Sequence, residues 1–275
     1  MPESETNMPL EAISLGQVFL SEFMGTAMLL LLGAGVCMDA SFNKSKGKGG
    51  GWLLINFGWG LGVFAGVLVA FQSGGHLNPA VTLGIAISKA GTTDPCFVGS
   101  GAGCPIPINA GTILTYIVAQ ILGAFVGAAL AWLVYKKQFD TDQPAGSKLG
   151  VFSTGPEERA YGWNLVTEVI ATFVLVFVVL MSGYQNASAG GLGWLNALGV
   201  AFLVVAIGAS LGGPTGYAIN PARDLGPRIW HAIMPSPNKG GSDWAYAWVP
   251  VVGPIVGGLL GGVAYLALGH VPWVS

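Results

Sequence analysis

Long apolar stretches alternate along the chain with short polar or glycine-rich ones. Six apolar stretches, at about 17–38, 52–71, 112–135, 163–183, 193–211 and 247–268, each approach the length of one bilayer crossing. An α-helix rises about 1.5 Å per residue and a hydrocarbon core is roughly 30 Å thick, so a span needs about 20 apolar residues. The pattern predicts six transmembrane helices. Two further segments, 79–89 (PAVTLGIAISK) and 221–233 (PARDLGPRIWHAI), are helix-like but long enough to reach only about halfway across.

Both short segments begin at the proline of an Asn-Pro-Ala, in SGGHLNPAVT (Ser73–Thr82) and TGYAINPARD (Thr215–Asp224). Proline suits the first helical position, where its missing N–H would have no partner anyway, and asparagine before it is a good N-cap. The first and fourth spans also match, with Glu-x-x-x-Thr at Glu22 and again at Glu168. Each half therefore reads span, span, half-helix, span. Three spans per half is an odd number, so the second copy enters from the opposite face and the repeats are inverted. The expected organisation is a tail 1–16, a first repeat 17–135, a connecting loop 136–162, a second repeat 163–268 and a tail 269–275. The fold class is thus an all-α polytopic membrane protein with two re-entrant half-helices. Their N-termini meet at the midplane, and carbonyls of QSGGH and GGPTGYAI line a polar path, because non-helical backbone at membrane depth needs protein or water beside it.

Composition sharpens this picture. Of 275 residues, 52% are hydrophobic and 9% charged, against roughly a quarter charged in ordinary soluble domains. A net charge of −2 offers no basic surface for nucleic acid. The acidic opening MPESETNMPLEAISLGQ lacks the positive region and cleavage site of a signal peptide, so the first span is expected to be retained. Three histidines, none near another His or Cys, give no metal site or catalytic constellation, and no cofactor is called for. Cys37 falls in the first span. Cys96 and Cys104 flank a loop, where the residues alone leave a bond, a weak metal site or no role open.

The two motifs in this order, spacing and hydropathy closely resemble the major intrinsic proteins, the aquaporin and glycerol-facilitator family, over nearly the whole chain. Asp224 after the second motif resembles the aquaglyceroporin branch. The resemblance implies an aquaporin-like fold, a pore in each chain and a homotetramer. It further implies passive conduction of glycerol, other small uncharged solutes and water, with protons and ions excluded. Asn78, Pro79 and Ala80 with Asn220, Pro221 and Ala222 become the central pore. Trp59, Gly208, Tyr217 and Arg223 become the selectivity filter, wide because water-selective relatives usually carry His where Gly208 stands. From Trp59 to Asn78 the chain is one residue shorter than the family pattern. The filter position falls on Trp59 if the deletion follows the second span, and on Gly58 if it lies earlier.

Two carboxylates within spans have two readings. Glu22 and Glu168 either accept hydrogen bonds from the re-entrant segments, which the resemblance favours, or relay protons in a coupled secondary transporter of a small polar solute. Asp224 is expected to cap N–H groups or fix a loop, Arg228 to anchor the segment near the interface, and His76 to line the inner vestibule rather than act as a pH gate. Repeated glycines at 58/62/66, 123/127 and 253/257/261 are expected to permit close helix crossings. The family places both termini in the cytoplasm, at a plasma membrane. That puts Lys44, Lys46, Lys48, Lys136, Lys137, Lys148 and Arg159 outside, against the positive-inside rule, and leaves Cys96 and Cys104 unbonded in a reducing compartment.

Overall fold

A computed structural model describes residues 12–93, 95–98, 104–141, 143–188 and 195–268, with backbone alone for 183–188. In chain order it contains α1 (Leu15–Ser41), α2 (Gly51–Val69), α3 (Pro79–Ser88), the strands β1 (Cys96–Val98) and β2 (Ile106–Pro107), and α4 (Ala110–Val134). There follow the short α5 (Lys136–Phe139) and α6 (Ala145–Gly150), then α7 (Tyr161–Ser188), α8 (Leu195–Leu211), α9 (Pro221–Ile233) and α10 (Val249–Leu268). Five of these, α1, α2, α4, α7 and α10, are long and apolar enough to cross a membrane, and α8 is a shorter apolar helix of 17 residues. The half-helices α3 and α9 start at the prolines expected, and every expected span has its helix. The expected tails lie largely outside the described residues.

Helix starts follow from local chemistry. Ser14 caps α1 and Asn109 caps α4, each in a reciprocal capping box. Asn78 and Asn220 adopt nearly identical extended backbones, with φ of −156° and −157°, and each accepts from the N–H two residues on.

The halves pack alike: α1 lies against α4, and α7 against α10. Glycine permits both crossings, because a Cβ on Gly123 would lie 2.3 Å from the Phe23 carbonyl oxygen and one on Gly257 2.3 Å from that of Val169. Small residues let backbones approach where lipid offers no hydrophobic drive for association. α2 packs on α8 and joins the halves across the centre.

Two expectations are corrected. Cys96 and Cys104 are bonded to each other. β1 and β2 pair antiparallel, which brings the two Cα atoms to 5.7 Å, within disulfide reach. Arg228 does more than anchor its own segment: it is fully buried and clips three segments together, as described below.

Candidate solute pathway

The re-entrant segments are shaped by residues that strain them. Leu77 and Ile219, each immediately before a motif asparagine, have left-handed backbones with φ of 55° and 43°. That conformation is costly for side chains of this bulk, most of all the β-branched Ile219, and persists only where neighbours over-determine it. Here the neighbours are the two carboxylates. Glu22 accepts from the N–H groups of His76 (3.0 Å) and Leu77 (2.7 Å), from Ser73 Oγ (2.6 Å) and from Gln120 Nε2 (2.8 Å). Glu168 accepts from the N–H groups of Ala218 (3.0 Å) and Ile219 (2.9 Å) and from Thr215 Oγ1 (2.7 Å). Both are buried, and neither lines the cavities described next.

The two motifs tie themselves together. Asn78 Nδ2 donates to the Ile219 carbonyl at 2.7 Å, and Asn220 Nδ2 donates to the Leu77 carbonyl at 2.9 Å. Each asparagine thus spends its side-chain oxygen on its own helix and one amide hydrogen on the opposite motif. The second hydrogen is left for the cavity that both residues line. An amide has two donor hydrogens and an acceptor oxygen, so donation alone faces the lumen.

Two cavities share three of their lining residues. The inner one, of about 300 Å³, runs past His76, Leu77, Asn78, Val81, Ile219 and Asn220. The outer one, of about 610 Å³, is bordered by Cys37, Trp52, Ser153, Thr154 and Glu157. Trp59, Tyr217 and Arg223 line both. The Arg223 guanidinium lies 3.8 Å from the Trp59 ring centroid, and its Nη1 donates to the Phe152 carbonyl at 2.8 Å. Trp59 Nε1 in turn donates to Cys37 Sγ at 3.3 Å.

Of the two residues open to the filter position, Trp59 lines both cavities. A Cβ on Gly58 would lie 2.5 Å from Val36 of α1, away from the lumen. A Cβ on Gly208 would lie 2.3 Å from Asn56 Oδ1 and 2.6 Å from Tyr217 Cζ, so its missing side chain leaves room for those two groups.

Asp224 accepts from Thr154 N (2.7 Å), Thr154 Oγ1 (2.8 Å) and Arg228 Nε (2.8 Å). Arg228 also donates to the carbonyls of Thr154, Ser242 and Asp243, binding α9 to both flanking loops. His76 stacks on Tyr116 at 4.6 Å and meets Thr82 Oγ1 through Nδ1 at 3.1 Å. Sequence reasoning passed over Gln120, which joins Glu22 to Thr82, and Tyr116, whose hydroxyl donates to the Ser73 carbonyl. Polar residues inside an apolar span were the available signal for both. Among the described residues no cluster of three or more His, Cys, Asp or Glu could hold a metal.

Six apolar helices, two capped half-helices meeting tip to tip and cavities that share an aromatic pair and an arginine define a helical membrane channel with its path inside one chain. The family described as "Major intrinsic protein" matches residues 10–95 and 98–265, and the chain belongs to it. A probable glycerol uptake facilitator protein of Thermotoga maritima is 50% identical over 239 residues, covering 86% of this chain and 93% of that one. The glycerol uptake facilitator protein of Bacillus subtilis is 49% identical over 257 residues, 92% and 86% of the two chains. The X-ray structure of the aquaglyceroporin from Plasmodium falciparum superposes with a TM-score of 0.76 at 29% identity, covering 94% of this chain and 98% of that one.

Proposed function

We propose that the chain is a passive channel for glycerol and other small uncharged solutes, with water also conducted and protons and ions excluded. The observation that carries the reading is that Trp59, Tyr217 and Arg223 line both cavities, which supports a constriction between them. Its aromatic pair offers apolar surface to a carbon backbone, while Arg223 keeps donors for hydroxyls beyond its bond to Phe152. Asn78 and Asn220 turn a passing oxygen toward themselves, which breaks proton relay along the file. Two half-helix N-termini, each equivalent to about half a positive charge, and the full charge of Arg223 oppose cations. Relatives named as glycerol uptake facilitators support the solute class.

Glu22 and Glu168 serve as braces. Their oxygens are occupied by N–H and hydroxyl donors of the re-entrant segments, and nothing supports the proton-coupled alternative. The channel assembles as a homotetramer in the plasma membrane with both termini cytoplasmic, an orientation that the family favours and that the lysine-rich loops and the Cys96–Cys104 bond oppose. Loops on the Arg223 side share one face, held by Asn43 to Gln143 and by Arg159 to Asp243, so the lysine-rich loops lie outside in this orientation. A membrane-impermeant maleimide on Ser147→Cys tests it: labelling of intact cells is expected, and labelling only after permeabilisation reverses the orientation. Glycerol flux in proteoliposomes without any ion gradient is expected. Accumulation of solute driven by a proton gradient would defeat the channel reading.

A further inference from the structure

One residue outside the proposed constriction contacts it from the side. Trp52, in the first turn of α2, lines the outer cavity. Its indole Nε1 donates to the Gly208 carbonyl at 3.0 Å, and its ring meets that of Tyr217 edge-on, with centroids 5.6 Å apart and planes at 88°. A Cβ on Gly212 would lie 2.4 Å from Tyr217 Cδ1 and 3.0 Å from Trp52 Cζ2, so glycine there lets both rings reach the backbone of α8. One side chain thus joins α2, α8 and the second re-entrant segment.

Tyr217 needs such a hold. Its backbone is left-handed, with φ of 37°, and its buried hydroxyl has no hydrogen-bond partner among the described residues. The carboxamide of Asn56, close to the same ring, is likewise unpaired. The polar end of Tyr217 therefore contributes little to fixing the ring, and contact with Trp52 does what a hydrogen bond would otherwise do.

We infer that Trp52 is a positioning residue that sets the solute-size limit of the channel, by holding Tyr217 against α8. The inference rests on the proposed constriction of Trp59, Tyr217 and Arg223. An edge-on aromatic pair is worth enough to bias a ring between two placements by several-fold. Without Trp52, Tyr217 swings toward the wide outer cavity and admits longer polyols.

The test is swelling of proteoliposomes carrying the full chain in glycerol and in xylitol, with water flux measured in the same vesicles. Trp52→Leu, which removes both the ring and the N–H, is expected to lower the glycerol-to-xylitol permeability ratio about fivefold. Trp52→Phe, which keeps a ring without the N–H, is expected to recover part of the ratio. A merely structural role would lower all fluxes in proportion to folded protein, leaving the ratio unmoved in both variants, and that result overturns the inference. Should Trp52→Leu fail to fold, Trp52→Phe with and without Tyr217→Ala decides. The Phe change must shift the ratio alone and have no further effect once Tyr217 is removed, and any other pattern overturns the inference. Tyr217→Ala by itself separates the two readings: an unchanged ratio there means that the constriction is misassigned, whereas a changed ratio with inert Trp52 variants sinks only the role of Trp52.

Discussion

The two re-entrant segments share one plan and differ in what is added to it. In each, a buried glutamate two spans away accepts two consecutive N–H groups and one hydroxyl, and a strained residue precedes the motif asparagine. The asparagine caps its half-helix and donates across to the other motif. Beyond the asparagine the copies part. Where the first half-helix carries Val81, Thr82 and Ala86, the second carries Arg223, Asp224 and Arg228. The first is completed by neutral bonds from Thr82 to the Asn78 carbonyl and from Gln120 to Thr82. The second is completed by a fully buried ion pair. The shared part builds a pore centre, and the unshared part puts charge and selectivity on one side of it.

The largest expected effect comes from erasing that asymmetry at the lumen. Arg223→Val makes the second segment resemble the first at this position. A unit charge about 4 Å from a cation's path, at an effective dielectric of about 20, raises the barrier by about 4 kcal/mol, roughly a thousandfold. Proton leak under an imposed potential should rise toward that ceiling without reaching it, because the half-helix N-termini remain. Neutral-solute flux should hold or increase. Val81→Ala, at the matched position, should leave the vesicles proton-tight. If both variants are tight, the central half-helices suffice as the barrier.

Next comes the ion pair. Arg228→Met leaves Asp224 buried among its N–H and hydroxyl donors without a counter-charge, a change that costs about 3–5 kcal/mol. Thermal unfolding in detergent should register it as a large fall in melting temperature. Gln120→Leu in the neutral half removes hydrogen bonds and no charge, and should cost about 1–3 kcal/mol. Equal losses would mean that the ion pair is solvated in the assembled protein and the comparison between halves is misdrawn.

The braces should behave alike. Glu22→Gln and Glu168→Gln each replace an acceptor oxygen with an amide that faces N–H donors, at a cost of about 2–3 kcal/mol. The Glu22 change should be the larger, because Glu22 serves four donors and Glu168 three. Residual glycerol flux in both should be independent of a pH gradient. A gradient-driven component lost in either variant would revive proton coupling.

The shared plan was readable in the sequence because it rests on local signals: hydropathy gives the spans, Asn-Pro gives a capped half-helix, and Glu-x-x-x-Thr marks the repeat. The additions were read less well because they are tertiary. Arg228 looked like an interface anchor, since only the folded loops at Thr154, Ser242 and Asp243 reveal its partners. Cys96 and Cys104 were expected to stay apart on compartment grounds, and a short antiparallel pairing joins them. Nor could local signals show that the Gly208 carbonyl receives Trp52 and that its missing side chain makes room for Asn56 and Tyr217, contacts between residues far apart in the chain.

The smallest expected effect compares the hydroxyls that complete the two braces. Thr215 Oγ1 donates to Glu168 at 2.7 Å, and Thr215→Val removes that bond while keeping the shape. A neutral hydroxyl bonded to a carboxylate should contribute about 1.5 kcal/mol. Ser73 does more in the first half. Its Oγ meets Glu22 at 2.6 Å and accepts from Ser21 Oγ at 3.1 Å and from Gly75 N at 3.4 Å. Ser73→Ala therefore deprives a carboxylate of a donor and leaves a buried serine and a backbone N–H without their acceptor. It should cost more than Thr215→Val by about 1 kcal/mol, the size of one ordinary hydrogen bond. Paired melting curves of the two variants in one detergent measure the difference directly. If Thr215→Val proves the costlier, the first segment is held chiefly by Gln120 and Tyr116, and the hydroxyls are not equivalent parts of one repeated brace.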